Sequence, residues 1–243
     1  MNRPYVLSIA GLDPSAGAGI LADIKTMEAC EVQGFGVASA LTYQNENEFV
    51  GLYWVGVERI IAQLEPRIRR YPISVIKIGL IQNPETLERI LQYLKVNLPA
   101  CKIVWDPILR ASAGFDFHQH GLSVFYDLLK SIDLITPNWK ELSASGNNAL
   151  EVAMQLSFHC GVVLKGGHSM EERANDYWIN KGSSECFSLP RLSNVDKHGT
   201  GCMFSSAIAS NIALGHTFAQ SISIAKAFVY DRLQSQEGGL ASF

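Results

Sequence analysis

Ser74-Val75-Ile76-Lys77-Ile78-Gly79, then Asn83-Pro84-Glu85 opening a segment of helical period that runs to Asn97, then Lys102-Ile103-Val104-Trp105: in this stretch the chain writes a strand, a helix and a second strand. Pro84 at a first helical position gives up no needed N–H, Asn83 stands where a cap is wanted, and Glu85 falls in the first turn. Both flanking runs are short, rich in Val and Ile and bounded by turn residues, which suits a parallel sheet buried on both faces.

The same alternation extends outward in both directions. Further strands are expected at Tyr5–Ala10, Gly36–Thr42, Leu134–Thr136 and Val162–Lys165. Helices are expected near Ile20–Glu31, Val57–Arg69, Leu122–Lys130, Ala149–His159, Gly201–Leu214 and Phe218–Ser235. Asp176–Ile179 and Glu185–Leu189, around Asn180-Lys181-Gly182, read as a hairpin. The fold class is therefore α/β with a mainly parallel sheet. No linker, repeat or low-complexity tract interrupts it, so residues 1–243 are expected to form one domain, with Gln234–Phe243 as a frayed tail.

Composition narrows the function. With 47% hydrophobic and 18% charged residues the chain falls in the globular range, and its net charge of -3 arises from 23 acidic and 20 basic residues scattered without blocks. No footprint for a nucleic-acid backbone is visible, so the expected partner is a small molecule. Five widely spaced cysteines, with no C-x-x-C pair, suit free thiols in a reducing cytoplasm. The start runs into a strand without an apolar leader, and no apolar run is long enough to span a bilayer, so a cytoplasmic location is expected.

Two glycine-bearing turns precede helices. In Lys197-His198-Gly199-Thr200-Gly201-Cys202, Gly199 and Gly201 permit close approach to unpaired N–H groups at a helix start, a ready site for a phosphate or a developing phosphoryl charge. Cys202 in that turn would feel the same field, which lowers a thiol's pKa; it reads equally as a buried cysteine in a capping turn. The earlier turn, Ala10-Gly11-Leu12-Asp13-Pro14-Ser15-Ala16-Gly17-Ala18-Gly19, fits neither the dinucleotide nor the Walker A spacing, yet lies where ligands bind open α/β sheets. Asp23, one turn into the next helix, reads from the residues alone as a complement to the helix dipole.

Three more polar points end strands: Asp106-Pro107, Asn138 with Glu141, and Lys165-Gly166-Gly167-His168. Singly, the first two read as turns or helix caps; together they suggest a shared rim. Carboxylates there could organise Mg²⁺ through water, and Lys165 could offer a point charge to phosphate.

Residues Ser8–Thr26 resemble the opening of the hydroxymethylpyrimidine/phosphomethylpyrimidine kinases, and further motifs follow in that family's order. These are Gln44-Asn45, Lys77-Ile78-Gly79, Asp106-Pro107, Thr136-Pro137-Asn138 with Glu141, Leu164–His168 and His198–Cys202, a coverage of about residues 5 to 230. The resemblance implies a ribokinase-like three-layer sandwich and two ATP-dependent phosphorylations in thiamine biosynthesis, of 4-amino-5-hydroxymethyl-2-methylpyrimidine and then of its monophosphate. It implies Gly11, Asp23 and Gln44 facing the pyrimidine, Asp106 and Glu141 organising Mg²⁺, and Asn138, Lys165 and Thr200 near the nucleotide. Gly199, Gly201 and Cys202 would form the anion hole, with Cys202 as catalytic base and Lys165 assisting. A homodimer is implied by the same analogy.

The chain departs from the family pattern at Ala16, in place of a glycine, at Leu80, in place of a methionine, and at Arg110, in place of an apolar residue. Glu46 and Glu48 would disfavour an anionic monophosphate if they face the site, and the usual ending is replaced by Gly238–Phe243. Two alternatives stand beside the main reading: a pyridoxal kinase of the same fold, and a non-catalytic pyrimidine-binding regulatory protein that has kept it.

Overall fold

The computed structural model describes residues 3–45, 47–110, 114–118, 121–143, 148–168, 172–192 and 198–234, and it is built on one nine-stranded sheet. The strands are β1 (Tyr5–Leu12), β2 (Gln33–Gln44), β3 (Phe49–Trp54), β4 (Ile73–Ile78), β5 (Lys102–Trp105), β6 (Leu134–Ile135), β7 (Gly161–Leu164), β8 (Arg173–Asn180) and β9 (Ser183–Pro190). The helices are α1 (Gly19–Ala29), α2 (Val57–Arg70), α3 (Pro84–Asn97), α4 (Trp139–Ser143), α5 (Ala149–Leu156), α6 (Thr200–Ala213) and α7 (Phe218–Gln234).

Across the sheet the order is β3-β2-β1-β4-β5-β6-β7-β8-β9. From β2 to β7 neighbours run parallel, while β3 at one edge and β8 and β9 at the other are antiparallel. Side-chain alternation sorts each strand into two cores. Leu7, Ile76 and Ile135 pack with Ile60 of α2, Leu91 of α3 and Ala153 of α5. Their sequence neighbours Val6, Val75 and Leu134 pack with Met27 of α1, Phe204 of α6 and Ile222 of α7. The result is a helix–sheet–helix sandwich. Its strand order reverses between β1 and β4, and in such sheets ligands bind beyond the strand C-termini at that reversal.

The expected N-terminus at Asn83 is present: its side chain accepts a 2.8 Å hydrogen bond from the Thr86 N–H. The expected hairpin is also present, with Lys181 at φ 49° and Gly182 at φ 79°, the pair of positive angles that a two-residue turn matching strand twist requires. Elsewhere the boundaries move. β2 extends beyond Gly36–Thr42 at both ends and turns back into β3, an edge strand that half-buried Phe49 and exposed Val50 disguise in sequence. The segment expected as a helix at Leu122–Lys130 is a 3-10 helix over Gly121–Ser131; buried Leu122, Phe125 and Leu129 recur at three and four residues, a spacing either helix serves. α5 stops at Leu156 rather than His159, with Ser157 as its C-cap. Among the described residues no helix is long and apolar enough to cross a membrane. Glu46, Lys197 and residues 235–243 lie outside the described residues.

Candidate active site

One cleft of about 870 Å³ opens over the C-terminal ends of the parallel strands. It gathers Gly11 and Gln44 from the ends of β1 and β2, Asp106 after β5, Asn138 and Glu141 after β6, Lys165 after β7, and Gly199, Thr200, Gly201 and Cys202 at the start of α6. Its volume lies at the upper end of the range for small-molecule sites.

The glycine-rich loop after β1 is knotted by Asp13, which accepts hydrogen bonds from the N–H groups of Ser15 and Ala18 at 2.9 Å and from the Ser15 hydroxyl. The same carboxylate reaches His198 Nε2 at 2.9 Å, tying this loop to the turn before α6. Burial alone would raise Asp13, but the bonds from His198, Ser15 and Ala18 hold it below the ordinary carboxylate range. Gly199 has φ 84°, and a Cβ on it would lie 1.8 Å from the Gly17 carbonyl oxygen. The two loops pack backbone to backbone, and only glycine fits there.

At the opposite wall, the Lys165 backbone N–H bonds the Pro137 carbonyl at 2.9 Å, aligning the ends of β6 and β7. Lys165 Nζ donates to Asp106 Oδ1 at 2.8 Å, and Thr136 Oγ1 donates to the same oxygen at 3.0 Å. A Cβ on Gly201 would sit 3.3 Å from Lys165 Nζ and 3.6 Å from Asp106 Oδ2, so ammonium and carboxylate both stand against the glycine turn. Burial would raise Asp106, but Lys165 and Lys77 bring it below the ordinary value. Burial would lower Lys165, but Asp106 and Glu141 raise it and keep it protonated.

Asn138 and Glu141 cap α4 reciprocally: the Asn138 N–H donates to Glu141 Oε2 at 2.6 Å, and the Glu141 N–H donates to Asn138 Oδ1 at 2.9 Å. The capping reading therefore holds, and both residues line the cleft as well. Burial pushes Glu141 up to about 7, with Lys165 opposing and Asp106 adding. Two carboxylates with this tension between them suit a dication. Asp106 and Glu141 both line the cleft and would hold a Mg²⁺ ion through its retained water; among the described residues no three His, Cys, Asp or Glu side chains meet as a metal site.

Two expectations need correcting. Asp23 does not line the cleft: it is fully buried, bonded to both Lys77 Nζ and the Ser8 and Ser206 hydroxyls, so neither a contact to a pyrimidine nor a role at the helix dipole describes it. The Cys202 thiol is not lowered by its place at a helix start. Burial pushes it up to about 11, Lys77 pulls it down, and the Asp23 and Asp106 carboxylates reinforce burial. Glu48 is exposed and is not part of the cleft wall. Arg110 does line the cleft, in an ion pair with Asp116 at 3.3 Å.

Sequence reasoning missed the role of Asp13 and the buried pair Asp176–Lys226. Asp176 accepts the Gly166 N–H at 2.7 Å and the Lys226 ammonium at 2.7 Å, fixing the segment that follows Lys165. An acid beside glycines is so ordinary in turns that nothing in Asp13 alone marks it; Lys226, a charge set among apolar residues on α7, was the better signal.

Residues 13–240 match the family described as phosphomethylpyrimidine kinase. The chain belongs to that family. It is 31% identical over 245 residues to the hydroxymethylpyrimidine/phosphomethylpyrimidine kinase of Escherichia coli K12, covering 96% of this chain and 92% of that one. It is 28% identical to the thiamine biosynthesis multifunctional protein ThiED of Corynebacterium efficiens, of which it spans 33%. Among solved structures, the phosphomethylpyrimidine kinase of Clostridium difficile superposes with a TM-score of 0.79 at 27% identity, over 96% of this chain and all of that one. An ADP complex of Bacillus subtilis pyridoxal kinase superposes at 0.85 over 98% of this chain and 94% of that one, with 24% identity, a likeness of the ribokinase-like fold. This phosphomethylpyrimidine kinase family member carries the glycine turn before α6 and Leu80 in the cleft wall. Its Ala16 holds φ 57°, a left-handed angle that explains why a glycine serves there.

Proposed function

We propose that this protein transfers the γ-phosphoryl group of ATP to the hydroxymethyl oxygen of 4-amino-5-hydroxymethyl-2-methylpyrimidine, and then to the phosphate of the product, in thiamine biosynthesis. The observation that carries this reading is the convergence of Cys202, Lys165 and Asp106 on the Gly199–Gly201 turn within one cleft, in a chain of this family. The pyrimidine lies toward Gly11 and Gln44, where the Gln44 amide offers both a donor and an acceptor to ring nitrogen and amino group. Nucleotide phosphates lie toward Lys165, Asn138 and Thr200.

In the first step the hydroxyl oxygen attacks the γ-phosphorus, the bond to the bridging oxygen breaks with its electron pair leaving on ADP, and the hydroxyl proton passes to Cys202 Sγ as thiolate. The Lys165 ammonium and the N–H groups at the start of α6 face the charge that spreads over the phosphoryl oxygens. Mg²⁺ held through water by Asp106 and Glu141 would neutralise phosphate charge. The backbone of Gly17 and Ala18 packs directly on Gly199 and forms the wall on that side. We also propose that the chain works as a single domain, as a homodimer, and in the cytoplasm.

The test is to incubate the purified protein with ATP and Mg²⁺ and, in parallel, the hydroxymethylpyrimidine, its monophosphate and pyridoxal, resolving products by mass and repeating with Cys202→Ala. Turnover of the pyrimidine that collapses in the variant is expected. Turnover of pyridoxal alone, or binding of the pyrimidine without turnover of any of the three, overturns the reading.

A further inference from the structure

A lysine near the end of a parallel strand, with its side chain wholly buried, is costly unless something answers its charge. Lys77 is such a residue. It sits on β4 with Ser8 and Val104 beside it in register, and it shares with Val75 the side of the sheet that α6 covers. Its ammonium donates to both oxygens of Asp23 at 2.8 and 2.9 Å, and both side chains are fully buried. Asp23 in turn accepts the Ser8 hydroxyl at 2.5 Å and the Ser206 hydroxyl at 2.7 Å. Ser206 lies one helical turn beyond Cys202, on the same face of α6. Lys77 Nζ also comes within 3.0 Å of where a Gly79 Cβ would stand, beside the cleft-lining Leu80. The pair is thus buried behind the cleft wall, tied through Ser206 to the helix face that carries Cys202, and neither residue lines the cleft.

We infer that Lys77 and Asp23 are positioning residues for Cys202: the Lys77 ammonium is the counter-charge that makes a thiolate at Cys202 attainable, and Asp23 sets how much of that charge the thiol feels. A charge pair made only to hold α1, α6 and β4 together could be replaced by apolar packing without consequence for the thiol. This one is asymmetric, with its cation pulling the thiol toward ionisation and its anion opposing. The other charged groups that act on Cys202 are Asp106 after β5 and Lys165 after β7, which are paired with each other at 2.8 Å.

The inference rests on the place given to Cys202 in phosphoryl transfer, but thiol reactivity is read without turnover, so the two readings fail separately. Iodoacetamide labelling of the full-length protein at pH 7.5 is followed by mass spectrometry of the Cys202 peptide, with exposed Cys186 as internal reference. Alkylation proceeds through the thiolate, whose fraction changes about tenfold for each unit of pKa. In Asp23→Asn, which keeps the shape and removes the opposing charge, Cys202 is expected to label several-fold faster than in the parent. In the paired variant Lys77→Met with Asp23→Asn, which strands no charge, it is expected to label several-fold more slowly. A merely structural role moves neither rate, or moves both the same way by loosening the cleft; either result overturns the inference. Should Asp23→Asn fail to fold, the sign of the change in the paired variant decides alone.

Discussion

Cys202 is a thiol that its surroundings hold protonated, with burial raising it to about 11, and a base in that state works harder as the solution becomes more alkaline. At saturating substrate, turnover is expected to rise with pH across the range from 7 to 10 and to lose that slope in Cys202→Ala, whose kcat should fall by roughly a hundredfold or more. A steady-state pH series on both proteins measures this. Glu141 titrates on the other side. Its folded value of about 7 lies above the ordinary 4.5, so the stability it contributes is complete below 4.5 and is lost as the pH rises through 7. Glu141→Gln removes that dependence. The gap between the melting temperatures at pH 5 and pH 8 should narrow, while dependence of activity on Mg²⁺ concentration weakens; a variant with the parent's gap contradicts the assignment. At Ala16 the left-handed φ of 57° costs a side chain about 1–2 kcal/mol, partly offset in glycine by greater chain entropy. Ala16→Gly should therefore raise the unfolding free energy by up to about 1 kcal/mol, as denaturant titration would show.

Among elements, the turn into α6 is the least tolerant of change. Gly199→Ala places a methyl group 1.8 Å from the Gly17 oxygen and keeps a positive φ, so the two loops must separate. Both stability and turnover are expected to fall, with KM for ATP and pyrimidine rising together, because the loops are walls of the same cleft. Comparison of kinetics and melting curves for this variant with those of Gly167→Ala, whose Cβ meets nothing within 4 Å, tests the point. Elements also differ in how openly the sequence declares them. The parallel strands announce themselves because burial on both faces demands unbroken Val, Ile and Leu. β3 does not, since an edge strand alternates exposed and half-buried residues and here includes Gly51. α4, five residues long, is visible only as the Asn138–Glu141 box that caps it. The glycine turns of the site were legible because close backbone approach leaves glycine no substitute. Asp23 was not, because the partner that makes it a buried ion is Lys77, brought in from another strand. Asp13 and His198 are likewise separated by most of the chain.

On the scale of the whole molecule, the cleft spans strand ends from β1 and β2 to β7 and the start of α6, so a ligand filling it joins segments from both halves of the chain. Ligands that bind only the folded state stabilise it by mass action, by about 2.7 kcal/mol at a hundredfold excess over Kd. Mg²⁺-nucleotide and pyrimidine should each raise the melting temperature, and together by at least the sum, in a thermal-shift experiment; no rise with either overturns the cleft as the binding site. The same span has a consequence for synthesis. The Asp13–His198 bond and the Gly17–Gly199 contact join the first loop of the site to a turn near residue 200, so a chain growing on the ribosome carries only one wall of the site until that turn emerges. Asp13 is made 185 residues before His198, so the glycine-rich loop waits for its other wall. Abortive products that end before Gly199 lack the glycine turn and Cys202, and cannot assemble the phosphoryl pocket.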